Sequence, residues 1–397
     1  MRVFTHTFGC RVNQYETQLL RERLLSGGGE GVEDWGNADL CVINTCTVTA
    51  EADRDAVRLA RRIARRNPAA RLIVTGCLAT RDPGKIRDAA PAAVIVGNAD
   101  KASIPAMLGC SAAPVDGVTG LDGHARAFVK VQDGCNMSCA FCVIPSIRPR
   151  LECRTLDSVV SEAKGLIARG IPELVLCGVR LGRWREGRSD LVALLERLLA
   201  TPGDFRVRLS SLEVTDATDR LLGLMARSEG KLCPSLHLPL QSGCEATLRR
   251  MRRWHSASFY GRRLDAARAV VPGIGLFADV IVGFPGETAE EFAESERFIE
   301  ACGLDGLHVF RFSPRPGTSA ARLPDRVAEE AIVSRARVLR ALDARLRAAF
   351  ARRVAGKTRV VVALDGGRSG LTGEFLTVAL PADPGRGLRR VTVPVGA

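Results

Sequence analysis

Residues Gly134-Cys135-Asn136-Met137-Ser138-Cys139-Ala140-Phe141-Cys142 set three cysteines in a C-x3-C-x2-C array, with an aromatic residue just ahead of the last. Three thiolates this close can hold three corners of a cubic iron–sulfur cluster and leave the fourth iron without a protein ligand. An open iron can bind a small molecule, so the array reads as a reactive centre, much as catalytic zinc sites differ from closed structural ones. Two other readings fit less well. A zinc knuckle adds a fourth Cys or His at short spacing, and His124 and Cys153 do not stand in that pattern. A bacterial ferredoxin run ends in Cys-Pro, whereas Cys142 is followed by Val143-Ile144-Pro145.

The elements that must position these residues follow from the periodicity. Over the first hundred residues, short β-rich runs at 3–8, 40–44, 71–75 and 93–96 alternate with amphipathic stretches at 16–25 and 52–66. That is the pattern of a parallel α/β sheet. Three of the strands end in a cysteine: Cys10, Cys46 and Cys77. Carboxyl ends of parallel strands share one edge of the sheet, where open α/β folds bind ligands. Convergence of the three thiols on a second cluster is therefore expected, against the alternative of three small buried turn residues.

A Gly-, Ala- and Pro-rich linker at 111–123 separates this unit from a longer run of strand–helix alternation. Strands are expected at 127–131, 173–177, 205–210, 236–240, 275–282 and 306–311, and helices at 157–169, 191–199 and 216–228. The run fits a full or partial (β/α) barrel with its active groups at strand carboxyl ends. The cluster loop, Gly178-Val179, Ser210-Ser211, Gln241 and the turn after 279–283 should then line the pocket. An Arg-rich helix at 328–353 leads to β-like runs at 359–364, 372–380 and 388–394, the composition of a small OB-like barrel. Domains are expected at 1–112, 122–350 and 351–397.

Composition narrows the class. The chain has 397 residues, a net charge of +13 and 13 cysteines. No apolar run reaches bilayer length and no signal-peptide core follows Met1, so a cytoplasmic protein without a membrane partner is expected, its thiols reduced. The basic balance fits a nucleic-acid partner, and equally an evenly solvated Arg-rich surface.

The motifs Thr7-Phe8-Gly9-Cys10-Arg11-Val12-Asn13-Gln14, Asn44-Thr45-Cys46-Thr47-Val48 and Thr75-Gly76-Cys77 continue into Cys135/Cys139/Cys142 and Leu238-Pro239-Leu240-Gln241-Ser242-Gly243. Asp279-Val280-Ile281-Val282-Gly283-Phe284-Pro285-Gly286-Glu287-Thr288 and the tail's Gly370-Leu371-Thr372-Gly373-Glu374-Phe375 complete the order. Across essentially its whole length the chain resembles the methylthiotransferases of the radical S-adenosylmethionine superfamily. The stretch from Gly9 to Thr17 is similar to the subgroup that converts N6-threonylcarbamoyladenosine beside the tRNA anticodon to its 2-methylthio form. The isopentenyladenosine-tRNA and ribosomal-protein aspartate subgroups are the sibling alternatives. A non-catalytic iron–sulfur protein that binds RNA is an alternative of another class.

The resemblance implies two [4Fe-4S] clusters and S-adenosylmethionine as cofactors. Cys135, Cys139 and Cys142 would hold the radical-generating cluster and count as catalytic. Cys10, Cys46 and Cys77 would hold the cluster that carries the inserted sulfur. Phe141, Gly178, Ser210, Gln241 and Asp279 are the candidate cofactor- or nucleoside-binding residues, while His237 reads as a satisfied core histidine. The tRNA anticodon stem-loop and a reductant such as flavodoxin or ferredoxin are the implied partners of a monomer, and the tail resembles the RNA-binding TRAM domain. Arg148, Arg150 and Arg154 are candidates for phosphate contact. Arg148-Pro149-Arg150 and Cys153 depart from the family pattern, which usually has Gly and Ser at these places.

Overall fold

The structure, a computed structural model, describes residues 1–110, 117–121, 124–364, 367–380 and 387–393. Most of the expected linker at 111–123 thus lies outside the described residues, as does residue 394, where the last tail strand was expected to end. The strands Arg2–Thr7, Leu40–Thr45, Arg71–Gly76 and Val94–Val96 pair in parallel in chain order, with a short edge strand Glu30–Gly31 beyond the first. Leu40–Thr45 is buried along its length, as a central parallel strand covered on both faces must be. Helix Arg11–Ser26 covers one face, placing Leu20 and Leu24 against Leu40 and Val42. Helix Ala50–Arg66 covers the other, with Ala56, Ala60 and Ile63 against Cys41 and Ile43.

The central part is a partial barrel. Arg126–Asp133, Glu173–Gly178 and Arg206–Leu209 form one parallel set, and Ser235–His237, Gly275–Val282 and Gly306–Arg311 another. A bridge between Val207 and Leu232 and a hydrogen bond from Leu212 N to His237 O (2.9 Å) join the sets. Among the described residues no ladder closes Gly306–Arg311 back onto Arg126–Asp133. The amino-terminal unit touches both sides of that opening: Val12 and Tyr15 pack into the barrel core, and Ala50 N donates to Ser313 Oγ (3.3 Å). The helices expected at 157–169, 191–199 and 216–228 are Leu156–Ala168, Leu191–Leu199 and Asp219–Arg227.

The tail is a four-stranded antiparallel sheet in the order Thr377–Ala379, Ser369–Thr372, Thr358–Ala363, Leu388–Thr392. The single strand expected at 372–380 is instead a turn and a second strand. Phe375 has a φ of +77° and its N–H bonds Thr372 O, which reverses the chain after Gly373. Among the described residues the sheet is open rather than closed into a barrel.

The tail is fixed to the amino-terminal ends of the barrel strands. Glu173, fully buried, takes Arg206 Nε (2.6 Å) and Arg208 Nε (2.9 Å). The remaining guanidinium donors reach tail carbonyls: Arg206 to Val360 and Leu371, Arg208 to Thr372 and Gly373. Burial opposes the Glu173 charge, but Arg208 and Arg206 more than offset it and lower its carboxyl to about 2. The tail therefore sits opposite the strand carboxyl ends that carry the cysteines.

Candidate active site

The C-x3-C-x2-C loop leaves the carboxyl end of Arg126–Asp133 and is held by backbone bonds from three directions. Cys135 N donates to Arg148 O (3.0 Å), Ala140 N to Met251 O (2.9 Å), and Ala140 O accepts from Ala320 N (2.8 Å). Gly134 starts the loop at φ +78°, and a Cβ there would lie 1.6 Å from Arg150 O. Only glycine satisfies both conditions. Cys135 Sγ accepts from Met137 N (3.4 Å) and Cys139 Sγ from Arg253 Nη1 (3.2 Å). Burial pushes the Cys142 thiol up to about 12, so metal loading here must release a proton.

Cys10, Cys46 and Cys77 follow three adjacent parallel strands, and the structure brings them to one edge. Gly9, at φ +97°, lies so close to Cys46 that a Cβ would stand 2.6 Å from its sulfur. Cys46 Sγ accepts from Val48 N (3.5 Å) and Cys77 Sγ from Asn98 Nδ2 (3.7 Å). Burial raises the Cys46 thiol to about 11. Asn13 ties the turns together, donating to both Phe8 O and Thr45 O (3.0 Å each).

The donor sets fit clusters better than single ions. A tetrahedral zinc draws its thiolates to within about 4 Å of one another. Among the described residues neither cysteine triad is that tight; the only three-residue group with ligand atoms within 4.8 Å of one another is His237, Asp279 and His308. Sulfurs of both triads already accept N–H groups, the type of bond that tunes thiolate-bound iron.

The segment that follows the first triad packs on the second. Cys77 packs with Val143 and Ile147, just past Cys142. A cavity of about 200 Å³ lies between the cluster loop and the segment after Cys46, with Val48 and Thr49 on one side, Phe141 and Cys142 on the other, and Gln241, Asp279 and Phe310 completing the wall. A second cavity, of about 190 Å³, is lined by Cys135, Cys139, Cys142, Arg180, Glu213 and Arg253. A larger one of about 380 Å³ lies behind, bordered by Glu16, Lys101 and Lys130 and by none of the six cysteines.

Arg148 spans the junction. Its side chain, 6% exposed, bonds Glu16 and Asp133 (2.6–2.8 Å), Asn13 Oδ1 (3.1 Å) and Asn98 Oδ1 (3.3 Å). Burial opposes the charge of Glu16, yet Lys101, Lys130 and Arg148 hold its carboxyl well below the usual range. Arg154 is likewise engaged, with Glu162, Tyr15 and Ser158. Neither arginine is free for a phosphate; of the three candidates only exposed Arg150 keeps that option. Cys153 turns away from the cluster loop and exchanges bonds with Arg183 O and Arg185 N.

The other expected site residues divide. Phe141 and Gln241 line both smaller cavities, Gln241 at φ +74°. Asp279 lines only the cavity beside Val48 and Thr49, where its Oδ1 meets His237 Nε2 (2.8 Å) and His308 Nδ1 (3.2 Å). Gly178 and Ser210 stand one residue behind the wall, which Val179 and Ser211 form; Ser210 Oγ is buried without a hydrogen bond. Arg253, Arg180, Glu213, Asn98 and His308 carry no motif that singles them out, and Glu16, within the Gly9–Thr17 stretch, was given no role there. The one available signal was that Arg252-Arg253 follows the Gln-Ser-Gly turn, and a basic run reads by default as surface.

Residues 2–97 match the uncharacterized protein family UPF0004 and residues 129–299 the radical SAM superfamily. The threonylcarbamoyladenosine tRNA methylthiotransferase MtaB of Bacillus subtilis is 37% identical over 87% of this chain and 81% of its own. A tRNA-2-methylthio-N6-dimethylallyladenosine synthase of Acidithiobacillus ferrooxidans is 33% identical over 91% and 85%. Among solved structures, the radical S-adenosylmethionine methyltransferase TsrM of Kitasatospora setae, with cobalamin and a [4Fe-4S] cluster bound, superimposes with a TM-score of 0.59 at 15% identity. It covers 80% of this chain and 76% of its own and shares the fold. Two cysteine triads on adjoining sheet edges, and identity of this level over nearly the full length, lead to one conclusion: the chain belongs to the methylthiotransferase family of the radical S-adenosylmethionine superfamily.

Proposed function

We propose that the protein is a cytoplasmic enzyme that adds a methylthio group to C2 of N6-threonylcarbamoyladenosine at tRNA position 37, within the anticodon stem-loop. The observation that carries this reading is the cavity walled by Cys142 and Phe141 on one side and by the segment after Cys46 on the other. The names of the MtaB relatives support the substrate. Cys135, Cys139 and Cys142 would hold one [4Fe-4S] cluster beside S-adenosylmethionine, and Cys10, Cys46 and Cys77 a second. When bound, these groups would supply the one-electron chemistry and the sulfur that an adenine C2–H bond demands and side-chain acids and bases cannot provide.

The chain's own residues bind and orient. Arg253, itself fixed by Glu213 and Pro239 O, holds a positive charge on Cys139. Arg180 is steadied by Asn136 and by the Trp254 ring, 4.6 Å from its guanidinium carbon, and borders the cofactor cavity. Phe310, 42% exposed, offers an aromatic face to a base. The reading includes a flavodoxin or ferredoxin as reductant, a monomeric enzyme, and a division into domains 1–112, 122–350 and 351–397. That division is supported by a hydrophobic core on one face of the amino-terminal sheet that draws on residues 4–95 alone, whereas the barrel core takes in Val12 and Tyr15 and the tail core takes in Phe277 and Phe350.

Nucleoside mass spectrometry of tRNA from a deletion strain tests the substrate; unchanged 2-methylthio-threonylcarbamoyladenosine would rule it out. Anaerobically reconstituted Cys46→Ala should lose about half its iron and all methylthiolation yet still form 5′-deoxyadenosine. A wild-type protein with two intact clusters and no 5′-deoxyadenosine would instead be a non-catalytic iron–sulfur protein.

A further inference from the structure

Three neighbouring barrel strands deliver His237, Asp279 and His308 to one point. Asp279 pairs in register with His308, and Ile281 with Phe310. Alternation puts His308 on the same face as Phe310, about 7 Å along the strand. Phe310 and Asp279 both line the cavity between the cluster loop and the segment after Cys46. Beside an apolar wall of Phe141, Ile281 and Phe310 the cavity thus meets the Asp279 carboxylate, and just outside its lining the two imidazoles share one oxygen of that carboxylate. Burial works against the Asp279 charge, but bonds from His237 and His308 hold its carboxyl well below the usual range, so it stays ionised. An ionised Asp279 claims the Nδ1 proton of His308 and leaves Nε2 as that ring's free polar atom. The His308 side chain is 51% exposed.

We propose that His237, Asp279 and His308 form the subsite for the substituent on the substrate's N6, and that His308 selects a hydrogen-bonding threonylcarbamoyl group over an apolar isopentenyl one. The proposal rests on the tRNA methylthiolation put forward above. A base stacked on Phe310 brings its N6 substituent over His308. A urea, hydroxyl or carboxylate there returns hydrogen bonds to the imidazole. An isopentenyl group would desolvate an ionised carboxylate and two imidazoles and return none. Sites that hydrogen-bond their substrate discriminate strongly against analogues lacking the partner, less so where water still reaches the site.

The test uses the full chain, anaerobically reconstituted, on two anticodon stem-loops, one bearing threonylcarbamoyladenosine and one isopentenyladenosine. The quantity read is the ratio of their kcat/KM values. His308→Phe should lower that ratio by about tenfold to a hundredfold, through the threonylcarbamoyl substrate alone, while His308→Gln should keep most of it. An unchanged ratio, or a parallel loss on both RNAs, would overturn the subsite. So would a stoichiometric divalent ion beyond the cluster iron that His308→Phe removes, because the three ligand atoms also lie close enough to share one metal. A wild type active on neither RNA would strike the functional reading itself. A wild type selective for threonylcarbamoyladenosine beside an equally selective His308→Phe strikes only the subsite.

Discussion

Each cluster cysteine depends on a neighbour that is not a ligand. Gly134 is the clearest case, since a side chain there meets both a left-handed φ and the Arg150 carbonyl. Gly134→Ala should destabilise the protein by about 1–3 kcal/mol or more and halve iron incorporation, checked by thermal melting and iron per chain; an unchanged melting temperature would reject the steric argument. Arg253 acts on charge rather than shape. Arg253→Gln should make the reduction potential of the first cluster more negative and slow 5′-deoxyadenosine formation about tenfold, because hydrogen bonds and positive charge at thiolate sulfur favour the reduced state. A potentiometric titration followed by EPR measures the shift. The cysteines were legible in the sequence through their spacing and their places at strand ends. Arg253 was not, because contact between positions 139 and 253 is made only when the loop docks against the Met251 carbonyl.

At the scale of elements, the problem is to hold two loop clusters from different sheets in register. Helix Arg11–Ser26 supplies Asn13, Tyr15 and Glu16 to the junction, and the segment after Cys142 supplies Arg148. Because Arg148 O also accepts from Cys135 N, and Asn98 links its side chain to Cys77, one residue touches the first triad and reaches the second through Asn98. Breaking a buried ion pair by removing one partner typically costs about 3–5 kcal/mol. Arg148→Gln should therefore lower the melting temperature and impair iron loading of both triads, the second more than the first; intact loading of both in iron analysis and Mössbauer spectra would refute the coupling. In the sequence Arg148 is a candidate phosphate contact with a solvated face as its default, since an arginine in a basic run has no visible partner until Glu16, 132 positions earlier, is folded beside it. Similarly, the strand expected at 372–380 took in the turn that joins Ser369–Thr372 to Thr377–Ala379, because the alternation of side chains runs straight through it.

For the whole molecule, the Glu173–Arg206–Arg208 group decides where the tail stands relative to the active site. Glu173 has a carboxyl lowered to about 2 from an ordinary 4.5. Its stabilising contribution is complete above about pH 4.5 and is lost as pH falls towards 2. Hydrogen exchange should therefore show the tail strands losing protection across that window ahead of the barrel, and Glu173→Gln should show the same loss at neutral pH, since two buried guanidiniums then lack their counter-charge. Equal protection in wild type and variant at pH 7 would dismiss the latch. The sequence by itself determined what is local or periodic: the alternation of a parallel sheet and a barrel, the six cysteines at strand ends, and the order of motifs that names the family. It could do so because helix and strand periods and strand-end placement are set within a few residues of each position. Only the tertiary structure decided which charges are buried as partners, that Asp279 stands between two histidines, and that the tail seals the far end of the barrel. Those facts are contacts between residues tens to hundreds of positions apart, where burial turns an ordinary surface arginine or histidine into a structural or selective one.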